Sequence, residues 1–272
     1  MRNQDNRSNR IWFAGIYYIL ASVLYVIDIF IPSVYPGMLT TVFLFVVLGE
    51  LIIHKRLKFV DFADRLVAAY FIYNAVSVIW LVKGGMPVSV YEQEFMTSLL
   101  PVMFYYAGRT CAGGLSTGKI RLFNIVLMII CIVVVFISGR QMAAAGVAGE
   151  RSERWIAAVN NMYSTWLGNG LGANGPMAAG IDGAHVIEDL RLIKMYCEQG
   201  IIGFSMFIYL MILSLRKCFG DIRKYCIELG IIVPALFLPA GSGMLAAQLT
   251  ATVFWHAVGM ISAEITVTEA ES

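Results

Sequence analysis

Charge is what this sequence has least of. Asp, Glu, Lys and Arg together make up 14% of its 272 residues, against about 25% in a soluble domain. That shortage excludes a water-soluble globular protein and, with 59% apolar residues, points to an integral membrane one. A net charge of +2 is too small to argue for nucleic acid as a partner. The five cysteines (Cys111, Cys131, Cys197, Cys218 and Cys226) avoid the one long polar loop, and no pair of them has zinc-ligand spacing. A disulfide framework, a metal site and a bound cofactor are therefore not expected. Internal repeats and low-complexity segments are absent. A retained first span is expected rather than a cleavable signal, whose apolar run would be shorter, about 7–15 residues, and followed by a small-residue cleavage site.

What fills the chain is apolar runs. After a polar start with Arg2, Arg7 and Arg10, residues 11–31 are long enough to cross a hydrocarbon core of roughly 30 Å. Further spans fall near 37–53, 65–82, 95–108, 121–138, 189–215, 225–238 and 249–264. The pattern predicts an all-α, single polytopic membrane domain over residues 1–272 with about eight transmembrane helices. Seven or nine are also compatible, given the weak fourth span and the Pro239-Ala-Gly-Ser-Gly243 turn.

Orientation follows from the basic residues. With a cytoplasmic N-terminus, the cytoplasmic segments collect Arg2, Arg7, Arg10, Lys55, Arg56, Lys58, Arg65, Arg109, Lys119, Arg121, Arg216, Lys217, Arg223 and Lys224, which is 14 of the 20 Lys and Arg. Basic residues near spans are retained on the cytoplasmic side. Both termini are thus predicted cytoplasmic, and the long loop 139–188 external.

That loop carries most of the reactive side chains away from the membrane ends. Residues 152–167 place Trp155, Ile156, Val159, Met162, Tyr163, Trp166 and Leu167 at helical spacing, which predicts an amphipathic helix in the headgroup region or one that merely caps the bundle. Gly170, Gly172 and Gly175 match G-x-G-x-x-G, but no strand precedes them. They make either a flexible turn or a place where backbone approaches a bulky headgroup closely. Arg140, Arg151 and Arg154 stand outside against the topological trend. Guanidinium forks bind phosphate oxygens in two-point geometry, so a lipid diphosphate is a fitting anion, with anionic headgroups or Glu150 and Glu153 as the plainer partners. Arg191, Lys194 and Glu198 recur on one helical face, where Glu198 serves either a structural ion pair or a function. His54 reads as solvated and His256 as a packed core residue.

In order, Ser138-Gly-Arg140, Arg154-Trp155, Gly168-Asn-Gly-Leu-Gly172 and Glu198-Gln-Gly-Ile-Ile-Gly203 resemble the motifs of the O-antigen polymerase and O-antigen ligase family of bacterial polysaccharide membrane enzymes. The resemblance covers about 65 residues well. It implies transfer of a glycan from an undecaprenyl-diphosphate carrier to a sugar hydroxyl, without cofactor or metal, at the outer face of the bacterial cytoplasmic (inner) membrane. Arg140 and Arg154 match the family's diphosphate arginines. Arg151 and Arg191 are candidates for the same role, and Trp155, Gly170 and Gly172 for the substrate loop. Ligases carry a histidine about nine residues before the Glu-x-Gly motif; that position here is Asp189, with His185 four residues earlier. This favours a compact, polymerase-like member in which Asp189, Glu188 or His185 assists the acceptor. Only residues 141–149 separate the Ser138-Gly-Arg140 region from the helix that carries Arg154-Trp155, too few to cross the membrane as relatives often do there.

The expected partners are the undecaprenyl-diphosphate-linked glycan and membrane lipids, with a chain-length regulator or repeat-unit flippase alongside. Competing readings are an O-antigen ligase, a polysaccharide transporter or flippase (favoured by Glu198, His256 and the 239–243 break) and a non-catalytic scaffold of a polysaccharide assembly complex.

The topology is directly testable. Cysteines introduced into 139–188 of a Cys-free variant should react with a membrane-impermeant thiol reagent in intact cells. Protection there, with labelling at 55–58 instead, would reverse the orientation.

Overall fold

A computed structural model describes residues 61–112, 149–187, 191–237 and 248–263, together with isolated helical positions at 23, 45–46, 49 and 52–53. The described residues are helical and contain no strand. The spans expected near 11–31, 37–53 and 121–138 lie essentially outside them, as does the 239–243 turn.

Helix α1 (Phe62–Val76) starts where Asp64 accepts the Asp61 N–H at 3.2 Å, one arm of a capping box. Ser77 interrupts the helix by donating its hydroxyl to Asn74 O at 2.7 Å, and α2 (Val78–Lys83) continues it. The 22 residues from Phe62 to Lys83 are long and apolar enough to cross a membrane. After Gly84 and Gly85, α3 (Val88–Glu94) leads into a π-turn (Phe95–Leu99), a 3₁₀ turn (Leu100–Met103) and α4 (Phe104–Ala112). The sequence suggested a weak span at 95–108. That stretch lies within a helical run from 88 to 112 whose register shifts twice around Pro101, which has no N–H for the ladder.

Helix α5 (Gly149–Asn160) is shorter than the amphipathic helix expected over 152–167. It ends because Asn161 turns back on Ala157 O through its Nδ2, and because the carbonyls of Thr165 and Trp166 are engaged elsewhere in the fold. Helix α6 (Arg191–Gly220) is the second segment long and apolar enough to cross a membrane. It is followed by α7 (Ile222–Phe237) and α8 (Gln248–Ala263).

The core lies where α1, α4, α6, α7 and α8 meet. Tyr70, Phe207, Phe254 and Trp255 form its aromatic centre, with ring centroids 5.5–6.4 Å apart. Side chains such as Ile72, Ile79, Tyr209 and Ile212 on the two long helices remain exposed, an arrangement suited to hydrocarbon and costly in water. At the far end of α1, the Arg109 guanidinium bridges Asp61 and the fully buried Asp64, and Tyr105 donates to Asp64 at 2.9 Å. Helices α4 and α8 pack backbone against backbone. A Cβ on Gly108 would strike the His256 carbonyl, and one on Gly259 would strike that of Tyr105. Small residues permit this approach between apolar helices, where dispersion contacts rather than water exclusion hold them together.

Gly259→Leu should therefore lower the thermal unfolding midpoint in detergent, at a cost of about 1–3 kcal/mol or more as for an overpacked core. Ile212→Val, at an exposed position, should leave it unchanged. An unaltered midpoint for Gly259→Leu would show that α4 and α8 do not approach so closely.

Candidate functional site

The chain's densest polar cluster among the described residues sits at the start of α6. Arg191, Lys194 and Glu198 fall on one helical face by their spacing of three and four, and that face is buried. Across from it stands Glu94, the last residue of α3. Arg191 Nη1 donates to Glu94 Oε1 and Lys194 Nζ to Glu94 Oε2, each at 2.8 Å. Lys194 Nζ also lies 3.6 Å from Glu198 Oε1. Ser98, one turn beyond Glu94, donates to its Oε1 at 2.6 Å. Two cations and two carboxylates thus balance in a place where an unpaired charge would cost several kcal/mol. Glu94 lies outside both long apolar helices. Burial alone would raise its pKa, but the Lys194 and Arg191 charges outweigh that and hold the carboxyl well below its ordinary range.

A second feature adjoins the first. Helix α6 is broken at Gly200 (φ 60°, ψ −170°), and segment 165–170 repairs the break. Asn169 N–H donates to Cys197 O at 2.8 Å and Gly170 N–H to Glu198 O at 2.9 Å. In return Ile201 N–H donates to Thr165 O at 3.0 Å and Ile202 N–H to Trp166 O at 3.3 Å. Tyr73 reaches in from α1 to donate to Gln199 O at 2.7 Å. Glycine is required on both sides of this contact: a Cβ on Gly168 would meet Glu198 backbone, and one on Gly200 would meet the Trp166 carbonyl. The glycine-rich stretch is therefore a built part of the interior.

Asn174 ties the loop to the ion network. Its N–H donates to Glu198 Oε1 at 3.2 Å, its Nδ2 donates to His185 O at 2.7 Å, and its own carbonyl accepts from Ile187 at 2.9 Å. Next to it, a Cβ on Gly175 would sit 3.2 Å from Lys194 Nζ and 3.3 Å from Glu94 Oε2, so this backbone roofs the pair.

Of the residues singled out in the sequence, Arg191 lies in the network, with its guanidinium buried against Glu94. Gly170 and Gly172, both at φ 92°, back onto Leu81 and Val90 and hold the loop against α2 and α3. His185 borders the loop, with its Nε2 3.1 Å from Asn161 Nδ2. Arg154 is exposed on α5. Trp155 faces inward and packs with Met162 against Ala158, Ile187 and Cys197, whereas Ile156, Val159, Tyr163 and Trp166 are exposed. The apolar face expected for 152–167 is thus divided between the core and the surface. Arg140, Glu188 and Asp189, and the Arg151 side chain, lie outside the described residues.

Glu94 and Asn174 escaped the sequence reading. Glu94 sits about a hundred residues before its partners, just ahead of the span expected near 95–108. The one available signal was a carboxylate abutting an apolar run, which calls for a partner by default. Asn174 lay inside a stretch that also reads as a flexible turn. In comparisons with protein-family models, with curated proteins and with solved structures, nothing matches this chain.

Glu94→Ala leaves Arg191 and Lys194 facing one carboxylate in place of two, and should cost about 3–5 kcal/mol of stability, read as unfolding in detergent. Adding Lys194→Met should recover part of that loss by removing a surplus cation. Wild-type stability in Glu94→Ala would mean that the pairs do not hold the site together.

Proposed function

We propose that this chain polymerises undecaprenyl-diphosphate-linked oligosaccharide repeat units at the outer face of the bacterial cytoplasmic membrane. In this reading it is a multi-pass enzyme with about eight spans, both termini in the cytoplasm and loop 139–188 outside. One observation carries the reading. Two of the motif-like stretches, Gly168-Asn-Gly-Leu-Gly172 and Glu198-Gln-Gly-Ile-Ile-Gly203, interlock backbone to backbone although 25 residues lie between them. Stretches that share a family-like order and also share one site argue for a common purpose.

The chemistry asks little of a metal. A diphosphate is already a good leaving group, and fixed cations can hold the charge that develops on it. Arg140 and Arg154 take that role, assisted by Arg151 and by Arg191, whose guanidinium is buried against Glu94. The acceptor hydroxyl oxygen attacks the anomeric carbon, and the bond from that carbon to the diphosphate oxygen breaks with its electrons leaving on the diphosphate. The hydroxyl proton passes to His185, Glu188 or Asp189. A single displacement of this kind inverts the anomeric centre. The Gly168–Gly172 turn and Trp155 shape the loop on which these groups stand.

The second reading is a transporter, favoured by the helix break at Gly200 beside a buried carboxylate. The pairing of that break with loop backbone weighs against an open passage there, and this reading stays second.

Deletion of the gene should leave single repeat units on the surface or on the carrier, whereas a ligase defect would accumulate long carrier-linked chains. Arg140→Ala and Arg154→Ala should each lower transfer by about one to two orders of magnitude, from roughly 1.5–3 kcal/mol per hydrogen bond to a charged group. Lysine at either position should rescue only partly, because the two-point fork is lost. Unchanged glycan length after deletion, or near-normal polymer from the double alanine variant at normal abundance, would overturn the proposal.

A further inference from the structure

The depth of the glycine loop in the membrane follows from the length of α6. Gly200 is the non-helical residue inside α6, and from there the helix runs on to Gly220. Its exposed side chains after the break are uncharged as far as Ile212, namely Ile202, Ser205, Tyr209 and Ile212. Charge returns at the turn into α7, where Arg216, Arg223 and Lys224 are all exposed. Three exposed cations keep that turn out of hydrocarbon, so one boundary of the apolar layer falls at or before it. Ile202 stands about 21 Å along the helix from Arg216 and about 27 Å from Gly220, at about 1.5 Å per residue. Both lengths are shorter than a hydrocarbon core of roughly 30 Å, and any tilt shortens them further. The loop is fastened at that depth, because Ile201 N–H donates to Thr165 O at 3.0 Å and Ile202 N–H to Trp166 O at 3.3 Å.

Two features of segment 163–170 agree with such a place. The first is its backbone. The N–H groups of Tyr163, Leu167, Gly168, Asn169 and Gly170 all find protein acceptors: Asn169 Oδ1, Ser164 Oγ, Ser164 O, Cys197 O and Glu198 O. A loop in water has no need of this, whereas irregular backbone at membrane depth is tolerated only when protein satisfies it. The second is its side chains. Trp166 is 64% exposed and Tyr163 52%, although the glycines between them and α2 are buried. Both rings join an apolar body to one polar atom, the combination favoured where headgroups meet acyl chains. Their surface continues onto Ile202, which is exposed on the helix to which Trp166 is bonded. What covers that helix also covers the rings.

We propose that segment 163–170 is a re-entrant edge of the outer loop, with Tyr163 and Trp166 docked on membrane lipid at the headgroup–acyl boundary of the leaflet opposite the α6–α7 turn. The proposal rests on α6 crossing the membrane, and it holds for a polymerase and a transporter alike. It differs from the interfacial helix expected over 152–167. The helix itself ends at Asn160, and the irregular segment after it meets the lipid. The break at Gly200 and the loop that completes it then share one level at the edge of the apolar layer.

The test uses full-length protein in vesicles of phosphatidylethanolamine and phosphatidylglycerol, with and without bromine on the acyl chains near the headgroup. Tryptophan emission is compared between wild type and Trp166→Phe, and the difference between them is the Trp166 signal. Brominated chains should remove most of that signal, and iodide present on both sides of the vesicle should remove little of it. A signal lost to iodide, whatever bromine does, puts the ring in water and overturns the proposal. A signal that neither quencher touches overturns it as well, by showing that protein covers the ring, whether another part of the chain or a second copy. Should Trp166→Phe fold poorly, Tyr163→Trp reads the same edge as a gain. The added emission should be sensitive to bromine and resistant to iodide, and the opposite response overturns the proposal.

Discussion

Four backbone hydrogen bonds between segment 165–170 and the break in α6 carry most of what is distinctive in this protein. A helix interrupted in apolar surroundings exposes N–H and C=O groups that no lipid tail can satisfy, so the break exists only if other protein backbone reaches it. Segment 165–170 reaches it because Gly168 and Gly200 have no Cβ to keep the two strands of chain apart. Once that contact is made, Gly170 and Gly172 are seated against α2 and α3, Asn174 is carried to Glu198, and Gly175 roofs the Lys194–Glu94 pair. Local geometry at one glycine pair thus sets the position of an entire polar site.

The electrostatics then follow from who is brought together. Glu94 receives one cation on each carboxylate oxygen, and Lys194 is shared toward Glu198. A buried ion network of this kind adds little stability beyond what an apolar core of equal volume would supply, yet it cannot lose a member cheaply. Its formal charges cancel, so the arrangement is neutral as a whole while remaining polar at its edges.

The opposite end of the bundle shows a different use of the same means. Arg109 bridges Asp61 and Asp64 and so fastens the end of α4 to the start of α1, while Gly108 and Gly259 press α4 onto α8. Both ends of α1 are therefore pinned, one by charge and one through Tyr73 and Ser77 to the loop and the break. A rigid frame of this sort keeps α3 and α6 at the spacing that the Glu94 contacts need.

The helical class and the two long apolar segments were legible in the sequence because hydrophobic run length maps directly onto membrane-crossing length. The face shared by Arg191, Lys194 and Glu198 was legible too, since helical spacing alone aligns residues three and four apart. The register shifts around Pro101 and the early end of α5 were not, because both depend on where backbone groups find partners far away in the chain. Glu94 and Asn174 were invisible for the same reason: neither has a local pattern, and each acquires its role only from a residue 24 or more positions distant. Composition and periodicity act along the chain and could be read from it. The pairing of a glycine loop with a broken helix acts across the chain, and only the tertiary structure could decide it.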